Sequence, residues 1–246
     1  MIKVPHIMET FDILTDKNTS FNGIAKQKNL IHLIRSCYHI KAQLLTWHQK
    51  LRYELNGEFY TFVPAVAQNP SDDETRGRVF PFAIQFPTLS AAQLMLLYWS
   101  TMLLLYRTIG DIQRLLEVYK DGAMPKTPNQ DPPATQKSLP PPVESSVNRK
   151  ITSDELPLTK CPLYSFLPES MGLFAANICQ SVEYCYRSKN GTLGLQSTIF
   201  PIWAAQGFYA SQPALSREWQ WCSEIGNMTA PDSRFDLKVM KLNSGS

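Results

Sequence analysis

The residues best suited to chemistry lie in one apolar segment, Ile178 to Cys185. The segment carries two thiols, Cys179 and Cys185, and one carboxylate, Glu183. Thiols serve redox chemistry or metal binding, and a carboxylate on an apolar helix needs a partner or an unusual pKa. The six-residue spacing places the two thiols on different faces of a helix, which excludes a local C-x-x-C element. We therefore expect both thiols in the core. Glu183 is either a site acid or an acid bonded to a neighbouring Arg, Tyr or Gln.

Histidine is the other residue type with candidate chemistry, and all four histidines lie in the first fifty residues. His32 and His39 project together on a helix, but Cys37 is offset from them, and no fourth ligand follows at zinc-finger spacing. A Cys–His nucleophile stays open as an alternative, although nothing in the sequence supplies an oxyanion hole. The nucleotide-binding, serine-hydrolase and metalloprotease motifs are absent. We expect no metal and no cofactor, and the sequence leaves catalysis undecided, with the balance against an enzyme.

Charge and composition limit the partners and the compartment. The 246-residue chain has a net charge of +3 and no run of basic residues that could neutralise several phosphates, so direct nucleic-acid binding is not expected. Five cysteines, an odd number, are widely spread, and no secretory leader is recognisable. These features predict an intracellular protein, nuclear or cytoplasmic. The uncharged stretch Leu89 to Tyr106 nearly reaches the length of a membrane span, but scattered Ser, Gln and Thr favour a buried helix and no membrane association.

The elements that position these candidate residues are predicted to be helices. Apolar residues at steps of three and four predict one helix from Ala25 to Leu55, and a second from Ser90, or from Pro87-Thr88, to Tyr119. The segment Glu58 to Pro87 is predicted to be a loop, and no strands with alternating apolar and polar residues are evident. After Pro168, one helix should extend as far as the Lys189-Asn190-Gly191 break. A second should span Gln196 to Ala210, with Pro201 in its first turn or at a kink, and a third should follow to Asn227.

These elements define an all-α fold, an irregular helical bundle with a long Pro-rich disordered loop. Seven of the eighteen prolines fall between Met124 and Val143, among polar residues that cannot bury enough surface to offset their ordering entropy. The expected organisation is one regulatory-type domain in two helical parts. Its segments are a loosely ordered N-terminal segment (1–28), a first helical part (29–121), a Pro-rich mobile loop (122–157), a second helical part (158–228) and a C-terminal tail (229–246).

Large aromatic rings are spread over all the predicted helices and could line a ligand pocket or form a partner surface. Trp219 and Trp221 cannot both face inward on one helix, so one of them is a candidate for an interface. The candidate pocket or interface residues are Trp99, Glu183, Tyr184, Trp203, Trp219 and Trp221.

Several short segments together resemble a known family. They are Phe86 to Leu89 with Leu97-Tyr98-Trp99, Ile178 to Tyr184, Gly194-Leu195-Gln196, Phe200 to Ala205 and Glu218 to Cys222. This pattern resembles the C-terminal regulatory region of fungal-specific Zn2Cys6 transcription factors, and the similarity covers about Leu30 to Asn227. The resemblance implies an all-helical region that receives regulatory signals, while DNA binding belongs to a separate six-cysteine cluster. No C-x2-C-x6-C pattern occurs in this sequence.

Two functions remain open. The resemblance implies a transcription-factor-like regulatory protein without its own DNA-binding domain. It would bind a small apolar effector or a protein partner, for instance in secondary-metabolite regulation. The alternative is a biosynthetic enzyme or accessory protein that uses the same helical scaffold to hold an apolar intermediate. A closed apolar cavity with Glu183, a His or a Tyr in mutual reach would favour the enzyme, whereas an exposed aromatic patch and no cavity would favour the regulator.

Overall fold

The computed structural model describes residues 4–16, 23–57, 59–67, 69, 71–73, 75–120 and 167–229. The helices are α1 (Val4–Thr15), α2 (Gly23–Glu54), α3 (Leu89–Lys120), α4 (Leu167–Gln180), α5 (Val182–Cys185), α6 (Gly191–Ala210) and α7 (Ser216–Thr229). Two strands, β1 (Thr61–Pro64) and β2 (Phe82–Gln85), and two 3₁₀ turns, Ser188–Asn190 and Pro213–Leu215, complete the set. The predicted all-α class is confirmed. The predicted Pro-rich loop, 122–157, and residues 230–246 of the predicted tail lie outside the described residues.

Helix α3 is the central element, because α2, α4 and α6 all pack on it. Its first half is buried on nearly every side, with Met95, Trp99 and Met102 each at most 2% exposed. Thr88 rather than Ser90 caps the start of this helix, since the Thr88 hydroxyl accepts a hydrogen bond from the Ala91 N–H (3.1 Å). By length and composition α3 could cross a membrane, but 72% of its apolar window is buried inside the molecule. A core helix passes the same test, which agrees with the prediction of a buried helix.

Two apolar clusters flank α3. The main core joins the first half of α3 to α4, α5, α6, α7 and β2, and Ile178, Tyr184, Ala205 and Cys222 are among its fully buried members. The N-terminal core joins α1 and α2 to the second half of α3 through residues such as Leu30, Ile34 and Ile109. Because α3 contributes to both clusters, it connects the two ends of the molecule.

The structure corrects two predictions near the N-terminus. The segment 1–28 was expected to be loosely ordered, yet α1 forms over Val4–Thr15 and buries Val4, Ile7 and Leu14. The segment Glu58 to Pro87 was expected to be a loop, yet β1 and β2 pair antiparallel, with Phe62 opposite Ile84. Each strand has only four residues, too few for an alternating pattern to stand out. The hairpin forms because Ala83 and Ile84 are buried in contact with α4 and α5.

The structure also corrects two predictions about the last helices. The helix after Pro168 is interrupted at Ser181, whose N–H is shared between the carbonyls of Asn177 and Ile178 (3.2 Å each), as is common at helix ends. Helix α6 begins at Gly191, five residues earlier than predicted, so Pro201 lies in its interior rather than in its first turn. The four-residue α5 that results directs Glu183 toward the hairpin.

Candidate functional site

Glu183 is held by the backbone that follows β1. Its Oε2 accepts hydrogen bonds from the N–H groups of Val66 (2.9 Å) and Ala67 (3.0 Å), and the residue is only 9% exposed. Backbone amides that would otherwise be unpaired in a partly buried loop thereby gain an ionised acceptor. The partner is neither the Arg nor the Tyr nor the Gln that the sequence suggested. The carboxylate fastens the end of the hairpin to α5.

The cavity beside Glu183 is too small for an organic substrate. Its volume is about 30 Å³, and Cys179, Asp72, Phe80 and Trp221 are among the residues that line it. A cavity of this size holds about one or two water molecules. The side-chain nitrogen of Asn69, which also lines the cavity, has no hydrogen-bond partner among the described residues, so an ordered water is a suitable occupant. Glu183 therefore faces a water-sized cavity and not a pocket for an apolar intermediate.

Trp99 and Tyr184 lie in the main core. Both are 2% exposed, and Phe86 lies between them, with its ring centroid 6.3 Å from that of Trp99 and 5.3 Å from that of Tyr184. Burial raises the pKa of Tyr184, and the charges of Arg187 and Lys189 lie 5.5 and 5.3 Å from its ring centroid. The ring contacts among Trp99, Phe86 and Tyr184 are typical of aromatic side chains packed in a core. Neither residue lines a described cavity.

The three remaining candidate tryptophans divide between the core and the surface. Trp221 is 7% exposed and meets Phe80 edge to face at 5.0 Å, whereas Trp219 is 42% exposed. The expectation that this pair could not both face inward is confirmed. Trp203 is 55% exposed and stacks on Phe200 of the preceding turn at 6.1 Å.

The six candidate residues therefore do not form one site. Glu183 and Trp221 share the water-sized cavity, Trp99 and Tyr184 belong to the aromatic packing around Phe86, and Trp203 lies on the outer side of α6. Only Trp203 and Trp219 are open to a partner.

Two thiols that lie 43 residues apart in sequence meet in the main core. The Sγ atoms of Cys179 and Cys222 are 3.5 Å apart, and both residues are free thiols. Desolvation raises the pKa of Cys179 well above 9.0, and it raises the pKa of Cys185 to about 12. A thiol with a raised pKa is a poor nucleophile at neutral pH. Sequence spacing could not reveal this pair, because its members belong to different helices.

The histidines and acids do not assemble into a metal site within the described residues, where no group of three His, Cys, Asp or Glu could hold an ion. His6 lies 3.8 Å from Glu9 on the exposed side of α1. His48 stacks on Tyr98 with ring centroids 4.5 Å apart.

A larger groove, which the sequence did not indicate, lies between α3, α4 and α6. Its volume is about 470 Å³, within the range of about 300–1,000 Å³ that is typical of ligand pockets. Apolar residues including Leu104, Met171 and Phe208 line it, together with Arg107 and Arg114 of α3. The sequence contains little indication of this groove, because the α3 residues that line it belong to the same helical stripe that packs α3 into the core.

The chain was compared with known proteins at three levels. No protein-family model, no curated protein and no solved structure matches it. The similarity to the regulatory region of Zn2Cys6 transcription factors is therefore a proposal.

Proposed function

We propose that this protein is a non-catalytic regulatory module of the transcription-factor type, which acts through protein contacts made by the outer face of α6. That face consists of Leu193, Ile199, Phe200 and Trp203, each between 43% and 55% exposed. The observation that carries the proposal is that α6 is apolar on both sides. Its inner side packs in the main core, and its outer side presents large apolar residues to solvent.

The outer face of α6 extends onto α3. Gln93 of α3 donates a hydrogen bond to the Ser197 hydroxyl of α6 (2.8 Å), and the exposed Leu94 and Leu97 lie next to Gln93 and one turn further along α3. The six large side chains together expose roughly 600 Å², most of the ~800 Å² that each partner buries in a standard interface. A surface of this size and composition is typical of a protein interface.

The partner that fits this face best is a second copy of the same chain. Residues 190–216 contain no charged side chain, so two copies can meet around a two-fold axis without like-charge repulsion. A two-fold contact also pairs each apolar face with an equally apolar one. We therefore propose a homodimer in which the α6 faces meet.

The alternative, an enzyme or accessory protein with Glu183 in an apolar cavity, has less support. The Glu183 carboxylate is occupied by two backbone N–H groups, and the adjoining cavity holds about one or two water molecules. A general acid or base must reach the proton that it transfers.

The oligomeric state tests the proposed interface. Light scattering coupled to gel filtration should give a dimer for the parent protein and a monomer for the double variant Phe200→Ser/Trp203→Ser. The matched control is Tyr53→Ser on α2, another aromatic residue, which is 85% exposed and should leave the dimer unchanged. A parent protein that stays monomeric at its highest soluble concentration would rule out the homodimer.

The regulatory role needs a separate test. The full chain can be fused to a DNA-binding domain of known operator and assayed on a reporter gene in a fungal host. We expect the reporter output to change with the parent chain and to return to the baseline with Phe200→Ser/Trp203→Ser. Reporter output that stays at the baseline with the parent chain, or turnover of a metabolite by the purified protein, would contradict the proposal.

A further inference from the structure

The groove between α3, α4 and α6 has an apolar floor. Leu103, Leu104, Tyr106 and Phe208 line it and are each at most 8% exposed, so the floor is continuous with the main core. Met171 closes one side. Because these residues are already almost fully buried, little apolar area of the floor is left to cover, and at about 25 cal/mol per Å² covering it adds only modestly to binding.

The mouth of the groove carries a surplus of positive charge. Among the residues that the structure describes, Asp111 is the only carboxylate that lines it, and two guanidinium groups share it: Arg114 bonds Oδ1, and Arg107 Nε lies 4.0 Å from Oδ2. The Arg107 side chain also extends from α3 over Gly207 of α6, where a Cβ atom would lie 3.0 Å from Nη1. One carboxylate cannot saturate the hydrogen-bonding capacity of two guanidinium groups, each of which has five donors.

A further cation lies behind the floor. Lys41 of α2 is 5% exposed, and its Nζ is 4.3 Å from the ring centroid of Tyr106, a residue of the groove lining. A buried charge is less screened than a surface charge. The potential in the groove therefore favours an anion.

We propose that this groove binds a monoanionic ligand with an apolar body, in the class of fatty or aryl carboxylic acids. The ligand carboxylate accepts hydrogen bonds from Arg107 and Arg114 in competition with Asp111, and its hydrocarbon part covers Leu103, Leu104 and Phe208. Guanidinium groups suit a carboxylate because their planar fork matches its two oxygens. On α6 the groove is lined by Ala204 and Phe208 and by none of the outer-face residues, so this inference does not require the proposed homodimer.

Calorimetric titration with decanoate, below its micelle concentration, tests the site in the full-length protein. Decanoate should bind saturably at one site per chain, and the uncharged decanol should bind at least about tenfold more weakly, because charge-assisted hydrogen bonds are lost. Arg107→Gln and Arg114→Gln should each weaken decanoate binding by about tenfold. Asp111→Asn should strengthen it, because the competing carboxylate is removed.

The apolar part of the groove can be tested with a matched glycine pair. Gly110 lines the groove and Gly226 lies on α7, and a Cβ atom at either position would contact nothing within 4 Å. Gly110→Trp should abolish decanoate binding by filling the groove, whereas Gly226→Trp should leave it unchanged; circular dichroism checks that both fold. Equal affinity for decanoate and decanol, or unchanged decanoate affinity in the Arg107→Gln and Asp111→Asn variants, would overturn the inference.

Discussion

At the scale of single residues, Glu183 shows how a carboxylate can lie on an apolar helix. Its two backbone donors, Val66 and Ala67, are 117 and 116 residues away in sequence. The sequence identified Glu183 as an acid that needed a partner. It could not identify the partner, because any non-proline residue offers the same N–H group and no side chain marks which one is used.

The two hydrogen bonds that Glu183 accepts from Val66 and Ala67 form a clamp between α5 and the hairpin, and the contribution of this clamp to stability can be measured. We expect Glu183→Ala to lower the free energy of unfolding by about 1–3 kcal/mol, because two partly buried N–H groups lose their acceptor. Urea denaturation measures the change, and the exposed Glu117→Ala on α3 should stay within about 0.5 kcal/mol of the parent protein. Equal midpoints for the two variants would show that the clamp contributes nothing.

The raised pKa values of the buried thiols predict that the protein loses stability at alkaline pH. Burial raises the pKa of Cys37 from 9.0 to about 11 and that of Cys185 from 9.0 to about 12. Above pH 9 the unfolded state releases these protons while the native state keeps them. The unfolded state then binds fewer protons, so stability falls as pH rises. Each such group contributes a slope of about 1.4 kcal/mol per pH unit until the native pKa is reached.

Cys185→Ala provides the check on this pH dependence. Urea denaturation between pH 8 and pH 11 should give a shallower decline for the variant than for the parent protein, since one of the retained protons is gone. Below pH 8 the two slopes should coincide. Identical slopes at alkaline pH would mean that Cys185 does not keep its proton in the native state.

At the scale of elements, the long helices were predictable and the short elements were not. Helices α2 and α3 were predicted to within two residues at each end from their apolar periodicity. The hairpin was missed because its four-residue strands depend on burial beneath α4 and α5, which is a tertiary effect. The break at Ser181 was missed because Ser is tolerated within helices, and its hydroxyl bond to the Asn177 carbonyl is of the same kind that Ser100 makes inside the unbroken α3.

Gly194 determines how closely α6 can approach α5. A Cβ atom there would overlap the Cys185 carbonyl oxygen and lie 2.8 Å from the Asn190 Cβ, so the close contact requires glycine. Gly194→Ala should therefore destabilise the protein, even though alanine favours helices. The Cβ atom that Gly226→Ala adds would contact nothing within 4 Å, so this change should stabilise α7 by about 0.5–1 kcal/mol. Thermal melts of the two variants should shift in opposite directions, and a shared direction would contradict the proposed contact.

At the scale of the whole molecule, α3 determines whether the two cores unfold together. Met102 and Leu103 belong to the main core, and Leu105, Ile109 and Ile112 of the same helix belong to the N-terminal core. Disruption of the N-terminal core would remove partners from the second half of α3. Since a helix gains most of its stability from packing, loss of that half should weaken the first half too.

Leu30→Ala tests this coupling. Leu30 is fully buried in the N-terminal core, so the change should cost about 2–5 kcal/mol. None of the five tryptophans belongs to that core, so tryptophan fluorescence reports on the other part of the molecule, while far-ultraviolet circular dichroism follows all the helices. If α3 couples the cores, the urea midpoints from both probes fall together by the same amount. A fluorescence midpoint that stays in place while circular dichroism shows an earlier step would show that the two cores unfold separately.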